Sequence, residues 1–208
     1  MELMDVITRT GATREFTDEP VTDEQLAPLF EAARYGPQGG NRQPLRWIVV
    51  RDPETKRQLR DWYKQVWDSV SGNYRAGPGA SRMVNSAADM AENLHQVPVL
   101  VVVGAVLGDL MRTDSELDRP GIVGGASVYP SVQNFLLAAR AEGLGAVLTT
   151  LLCRWEPEVK KLLNIPDEVI TAATLAVGHP ARPLPNQLKR RPVSEMVFSE
   201  RYGEPLFA

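Results

Sequence analysis

Separated polar clusters are where this chain could do chemistry. Arg14 follows a run of small and hydroxyl residues, Thr10-Gly11-Ala12-Thr13. Residues 36–43 read GPQGGNRQ. The adjacent glycines there let the backbone approach a ligand closely, and the amides of Gln38, Asn41 and Gln43 both donate and accept. Thr149 and Thr150 follow a strand-like apolar segment. Lys189 and Arg191 stand two residues apart, a spacing at which extended cationic side chains point to one side and can clamp a phosphate. Taken singly, each cluster reads as solvated surface or an ordinary turn. Together they supply positive charge, amides and hydroxyls without an acid–base pair, which suits holding a cofactor that carries its own chemistry.

Other chemistries lack their signatures. The only histidines, His95 and His179, sit in neither a HExxH nor a CxxC context. No GxSxG marks a serine nucleophile. No GxxxxGKS/T or GxGxxG follows a strand, and GIVGGAS (residues 121–127) has the wrong glycine spacing. The single cysteine, Cys153, excludes an internal disulfide and reads as a small buried hydrophobe in an apolar run.

The elements that must position these clusters follow from periodicity. Residues 2–10 read as a short amphipathic helix. Thr22 and Gln25 make a capping box, followed by Leu26, Leu29, Phe30 and Ala33 on one helical face. The glycine loop leads into a strand at 47–50, and Asp52-Pro53 then opens a helix to about Ser69. Residues 71–81 read as loop, with Ser81 capping a helix to about Asn93. PVLVVVGAVL (98–107) is a strand buried on both faces. A long apolar helix spans about 125–142, with Pro130 in its first turn or kinking it. Strands at 146–152 and 170–177 flank a short helix, and a proline-rich tail with Phe198, Tyr202, Leu206 and Phe207 ends the chain. Helices that outnumber and surround a small sheet give an α+β fold in a single domain, 1–208.

Composition narrows the partners. With 26 acidic and 23 basic residues among 208, the net charge is −3, and no general nucleic-acid footprint exists. Neither a secretory signal nor an apolar run of membrane-spanning length is seen, so the expectation is a cytoplasmic protein that engages no membrane.

Four stretches of the sequence resemble the nitroreductase-like family of flavin mononucleotide (FMN) oxidoreductases. TGATREF followed by DEPV is similar to an N-terminal RRSxRxF…PV motif. EAARYGPQGGNRQPLRWIVV is similar to AxxAPSxxNxQPWxFxVV. SVQNFLLAARAEGLGAVLTT resembles the central helix and Gly-Leu-Gly turn. NIPDEVITAATLAVGHPARP with KRRPVSEMV resembles the closing GxPxxxP and basic RxPxxEVV elements. The stretches occur in family order and cover nearly the whole chain.

The resemblance implies an α/β sandwich with a central antiparallel-type sheet, working as an intertwined homodimer with FMN at the subunit interface. Residues 192–208 would wrap the partner. Thr10, Gly11, Ala12, Thr13 and Arg14 would follow the FMN phosphate and ribityl chain. Gln38, Gly39, Asn41 and Gln43 would come from the second subunit. Leu148, Thr149 and Thr150 would pass the flavin ring, and Lys189 and Arg191 would hold the phosphate. NADH or NADPH would reduce the flavin, and a nitroaromatic, quinone or other conjugated acceptor would reoxidise it, with no obligate protein acid or base. Residues 63–82 would shape the substrate entrance, where Trp67 and Tyr74 are candidates for stacking. Thr10, Gly11 and Ala12 depart from the family's Arg, Arg and Ser, which throws phosphate binding onto Lys189 and Arg191. The same departures motivate an alternative, a flavin-sequestering protein without efficient turnover. Another flavin reaction, such as enoate reduction, and a deazaflavin-linked donor stand as further alternatives.

Overall fold

Four antiparallel strands form the sheet, in the order β1-β2-β4-β3: β1 (Leu45–Val50), β2 (Val99–Val106), β3 (Gly145–Thr149) and β4 (Val169–Gly178). The computed structural model describes the main chain of residues 1–74 and 80–207, and the side chains of these except 73, 74 and 80–82. Strand β2 is buried along nearly its whole length, as its unbroken apolar run requires. Its alternate residues serve two layers. Val99, Val101, Val103 and Ala105 face one, and Leu100 and Val102 face the other.

Helices α2 (Asp23–Ala33) and α5 (Tyr129–Ala141) cover the first face, where Leu26, Leu29, Val132 and Phe135 are buried. The second face carries α3 (Pro53–Val70), α4 (Ala80–Asn93) and α6 (Glu156–Leu163), which bury Leu59, Tyr63, Met90 and Val159. Each buried leucine, valine or phenylalanine contributes about 1.5–3 kcal/mol relative to exposure. A short α1 (Leu3–Arg9) leads the chain. Among the described residues, no helix is long and apolar enough to cross a membrane.

The caps fall where side-chain chemistry puts them. Thr22 Oγ1 accepts from the Gln25 N–H at 3.3 Å, and Gln25 Oε1 accepts from the Thr22 N–H at 2.9 Å. Asp52 accepts from the Thr55 N–H at 2.7 Å, with Pro53 in the first turn of α3. Several boundaries differ from the sequence reading, among them the strand expected to run to 152, which ends at Thr149 ahead of a 3-10 turn over Leu151–Trp155. The helix expected from about residue 125 begins at Tyr129, behind a 3-10 turn over Val123–Ser127. Pro130, which lacks an N–H, sits in the first turn where no intrahelical donor is needed, and Val128 at the N-cap has φ −119° and ψ −61°. Helix α4 begins at Ala80, which places Ser81 inside it rather than at its cap.

The chain's two ends present apolar side chains outward. On α1 only Val6 is buried, while Leu3, Met4 and Ile7 are exposed. In the tail, Leu206 donates its N–H to the Val197 carbonyl at 3.0 Å, and the Phe198 and Tyr202 rings lie 4.7 Å apart. The tail folds on itself and leaves Tyr202 93% exposed.

Candidate cofactor site at the sheet edge

Residues 13–17 run along the β3 end of the sheet. The Thr13 N–H donates to the Ala146 carbonyl at 3.0 Å, the Thr17 N–H to the His179 carbonyl at 2.9 Å, and the Ala181 N–H to the Glu15 carbonyl at 3.0 Å. Gly145 makes the approach possible, because a Cβ there would stand 2.8 Å from Thr13 Cβ. These bonds hold Arg14 at the rim of β3, where it is half-buried. Its guanidinium makes no hydrogen bond or ion pair with any described residue.

Arg14 lies where two cavities adjoin, and it also lines a third, of about 270 Å³, with Asp89 and Val97. Of the adjoining pair, one, of about 260 Å³, is lined by Arg14, Tyr63 and Trp67 of α3, by Met83, Val84, Ala87 and Met90 of α4, and by residues 147–151. Leu148, Thr149 and Thr150 therefore meet Arg14 and Trp67 in one place. The Thr149 hydroxyl donates to the Tyr63 hydroxyl at 3.4 Å and accepts from the Leu151 N–H at 3.3 Å. The other cavity, about 450 Å³, is polar. Ala12, Thr13, Arg14 and Glu15 form one wall, Asn85, Ser86 and Asp89 of α4 a second, and residues 182–185 a third. Arg182 Nε pairs with Glu15 Oε2 at 2.6 Å. The Tyr74 side chain and residues 75–79 of the expected entrance lie outside the described residues.

The glycine-rich loop is elsewhere in the same chain. It feeds β1, whereas Thr149 ends β3, and the two strands are opposite edges of the sheet. Three strand spacings, roughly 14 Å, separate them. The loop is held at the α5 side by the Gly39 N–H, which donates to Ser127 Oγ at 3.0 Å. Gly40, Asn41 and Gln43 all take left-handed φ, at 62°, 52° and 51°. For glutamine this is uncommon, and such backbone collects at binding sites. Gln38 Oε1 is buried without a hydrogen-bond partner among the described residues. In the segment ahead of α5, Asp114 accepts from the Ile122 and Val123 N–H groups at 2.8 and 3.3 Å and from Arg119. The Ile122 N–H, ahead of Arg119, holds the Asp114 carboxyl below its ordinary range.

The basic pair near the C-terminus is tied to the start of the chain. Leu188 donates its N–H to the Thr8 carbonyl at 2.9 Å, and Arg140 donates to the Pro185 carbonyl at 3.2 Å. Lys189 and Arg191 are exposed and unpaired with any described residue. Thr10 turns away, its hydroxyl donating to the Val6 carbonyl at 2.7 Å. Gly11 lies against Pro185 and Leu188.

Comparison with known proteins decides the ancestry. The sequence profile of the Nitroreductase family matches residues 7–179. The chain belongs to the nitroreductase family. A Streptomyces coelicolor relative, provisionally named an NADH dehydrogenase/NAD(P)H nitroreductase, is 33% identical over 140 residues, 66% of this chain and 65% of that one. This match thus spans less than two thirds of that relative's length. A Thermus thermophilus NADH dehydrogenase is 27% identical over 195 residues, 81% of this chain and 82% of the other. Among solved structures, oxidised iodotyrosine deiodinase bound to FMN and 3-iodo-L-tyrosine superposes with a TM-score of 0.73. It is 27% identical and covers 92% of this chain and 96% of its own.

Of the residues singled out from the sequence, seven line the paired cavities, four lie at the other edge, and Thr10, Gly11, Lys189 and Arg191 line neither cavity. Ala12, Thr13, Arg14, Leu148, Thr149, Thr150 and Trp67 surround the paired cavities. Gln38, Gly39, Asn41 and Gln43 lie at the other edge. The sequence reading missed Asn85, Ser86, Asp89 and Arg182. The first three carried a legible signal, a polar stripe at i, i+1 and i+4 on a helix. Arg182, an isolated charge before Pro183, carried none. Cys153 takes no part in either cavity, and burial pushes its thiol up, away from the reactive thiolate. Among the described residues there is no cluster of metal-ligating side chains.

Proposed function

We propose that this nitroreductase-family chain is an FMN-dependent oxidoreductase that takes reducing equivalents from NADH or NADPH. It passes them, in alternating half-reactions, to a nitroaromatic, quinone or related conjugated acceptor. The observation that carries the reading is the pair of cavities at the β3 edge. An apolar, aromatic-walled chamber adjoins a polar one, with an arginine unpaired among the described residues at the junction. A flat heterocycle with a polyol phosphate tail has that distribution of chemistry.

Bound FMN supplies hydride transfer at its ring. The chain's own residues bind, orient and shield. Arg14 places a fixed positive charge where a reduced ring carries added electron density. Leu148, Thr149 and Thr150 pass along the ring edge, and the Tyr63–Thr149 hydrogen bond fixes that edge in place. Trp67, Met83 and Met90 exclude water from the chamber. Lys189 and Arg191, tethered beside Thr8, hold the phosphate. The Gln38–Gln43 loop cannot reach the β3 edge of its own chain, so it serves the site of a second copy. The apolar face of α1 and the aromatic tail, residues 192–208, cover that partner.

The test is a visible absorption spectrum of the purified protein before and after anaerobic NADH or NADPH. A flavin spectrum that bleaches with nucleotide and returns on adding a quinone or nitroaromatic is the expected result. Bound flavin that bleaches with neither nucleotide would replace this reading with flavin sequestration.

A further inference from the structure

Helix α4 presents two different stripes to the two cavities. Met83, Val84, Ala87 and Met90 line the apolar chamber, and Asn85, Ser86 and Asp89 line the polar one. The offset of i, i+1 and i+4 puts the three polar residues on one strip of helix surface. None of their side chains makes a hydrogen bond or ion pair with a described residue. Thr13, Arg14 and the Arg182–Glu15 pair stand around the same space. The polar cavity therefore combines amide, hydroxyl, guanidinium and carboxylate groups with nearly balanced charge. Such a lining fits a neutral polyhydroxyl chain, whose hydroxyls both donate and accept, better than it fits a phosphate dianion.

We propose that Asn85, Ser86 and Asp89 form the subsite for the flavin's ribityl chain. The proposal rests on the flavin reading above. It assigns ribityl recognition to a helix outside the four motif stretches, and it separates that chain from the phosphate, which stays with Lys189 and Arg191.

Flavin fragments test it. Lumiflavin has the ring alone, riboflavin adds the ribityl chain, and FMN adds the phosphate. The apoprotein is titrated with each by fluorescence quenching, for the wild type, an Asn85→Ala/Ser86→Ala double variant, and Asp89→Asn. The expected result is a loss of about tenfold in affinity for both FMN and riboflavin in the double variant, with lumiflavin binding unchanged. Asp89→Asn, which keeps shape and removes an acceptor charge, gives a smaller loss with the same pattern. A loss confined to FMN would mean that the stripe senses phosphate, and equal losses for all three would mean that it merely supports the ring chamber. Either result, or no loss at all, overturns the proposal. A wild type that binds none of the three overturns the flavin reading itself, which the variants alone could not do.

Discussion

On the α2–α5 side of the sheet the aromatic rings interlock. Phe30, Trp47 and Phe135 meet with centroids 5.7, 5.2 and 5.7 Å apart, one pair stacked and two edge-on. On the α3–α4 side the stacked Trp62 and Trp155 rings lie 6.0 Å apart, and toward β3 the layer opens into cavities. Both layers sit on the same apolar strands, so strand composition does not separate them. Two features do. Strand β3 is the last strand of the sheet, bordered among the described residues by the 13–17 segment rather than by a fifth strand, and the α4 residues facing it include the small Ala87 and polar side chains. A site forms where a helix overhangs a sheet edge with side chains too short or too polar to seal it.

If one layer is core and the other is site, they should break differently. Phe135→Ala, at a fully buried position, should cost about 3–5 kcal/mol and register as a large fall in the denaturation midpoint. Flavin affinity per folded molecule should stay near the wild-type value. A large loss of affinity in that variant would show that the packed layer also shapes the site.

Gly36→Ala probes the same layer with an added methyl. Gly36 is buried where α2 ends against α5, and its Cβ would stand 2.6 Å from Ser131 Cα. Helical main chain cannot step aside as a flexible side chain can, so a cost of about 1–3 kcal/mol is expected from thermal or denaturant unfolding. A neutral outcome would mean that α2 and α5 slide more easily than their close contact suggests.

The same contrast explains what the sequence made legible. The helices, the strands and the α+β class could be read because periodicity and caps are local. Thr22–Gln25 and Asp52–Pro53 each announce a helix within four residues. The order β1-β2-β4-β3 was not legible, because it pairs Val99–Val106 with Val169–Gly178 across some seventy residues. For the candidate site, Arg14 and residues 148–150 were singled out from sequence and meet in space. The polar stripe of α4 was passed over because its partners, Thr13 and Arg182, come from distant parts of the chain.

Arg14→Ala moves to the open layer. Its side chain has no described partner to lose, so stability should change by less than about 0.5 kcal/mol. Flavin affinity should fall by roughly tenfold or more, since a charge-assisted contact is removed. Titration paired with a melt separates the two effects. A destabilised protein with normal flavin affinity would reclassify Arg14 as structural.

The smallest expected effect lies at the outer end of the site, where exposure weakens every charge. Arg190 folds back, its Nη1 donating to the Lys189 carbonyl at 2.8 Å. An extended segment would turn Lys189 and Arg191 to the other side. Arg191→Ala should therefore weaken FMN several-fold, roughly 1 kcal/mol for an exposed, salt-screened contact, while Arg190→Ala leaves binding within about twofold. Riboflavin, which lacks the phosphate, should bind both variants alike, and raising the salt concentration should shrink the FMN difference. Equal FMN losses from the two substitutions would show that the segment presents the opposite face. The phosphate would then have to be held by another cation, such as the half-buried Arg140, which donates to the Pro185 carbonyl beside Gly11.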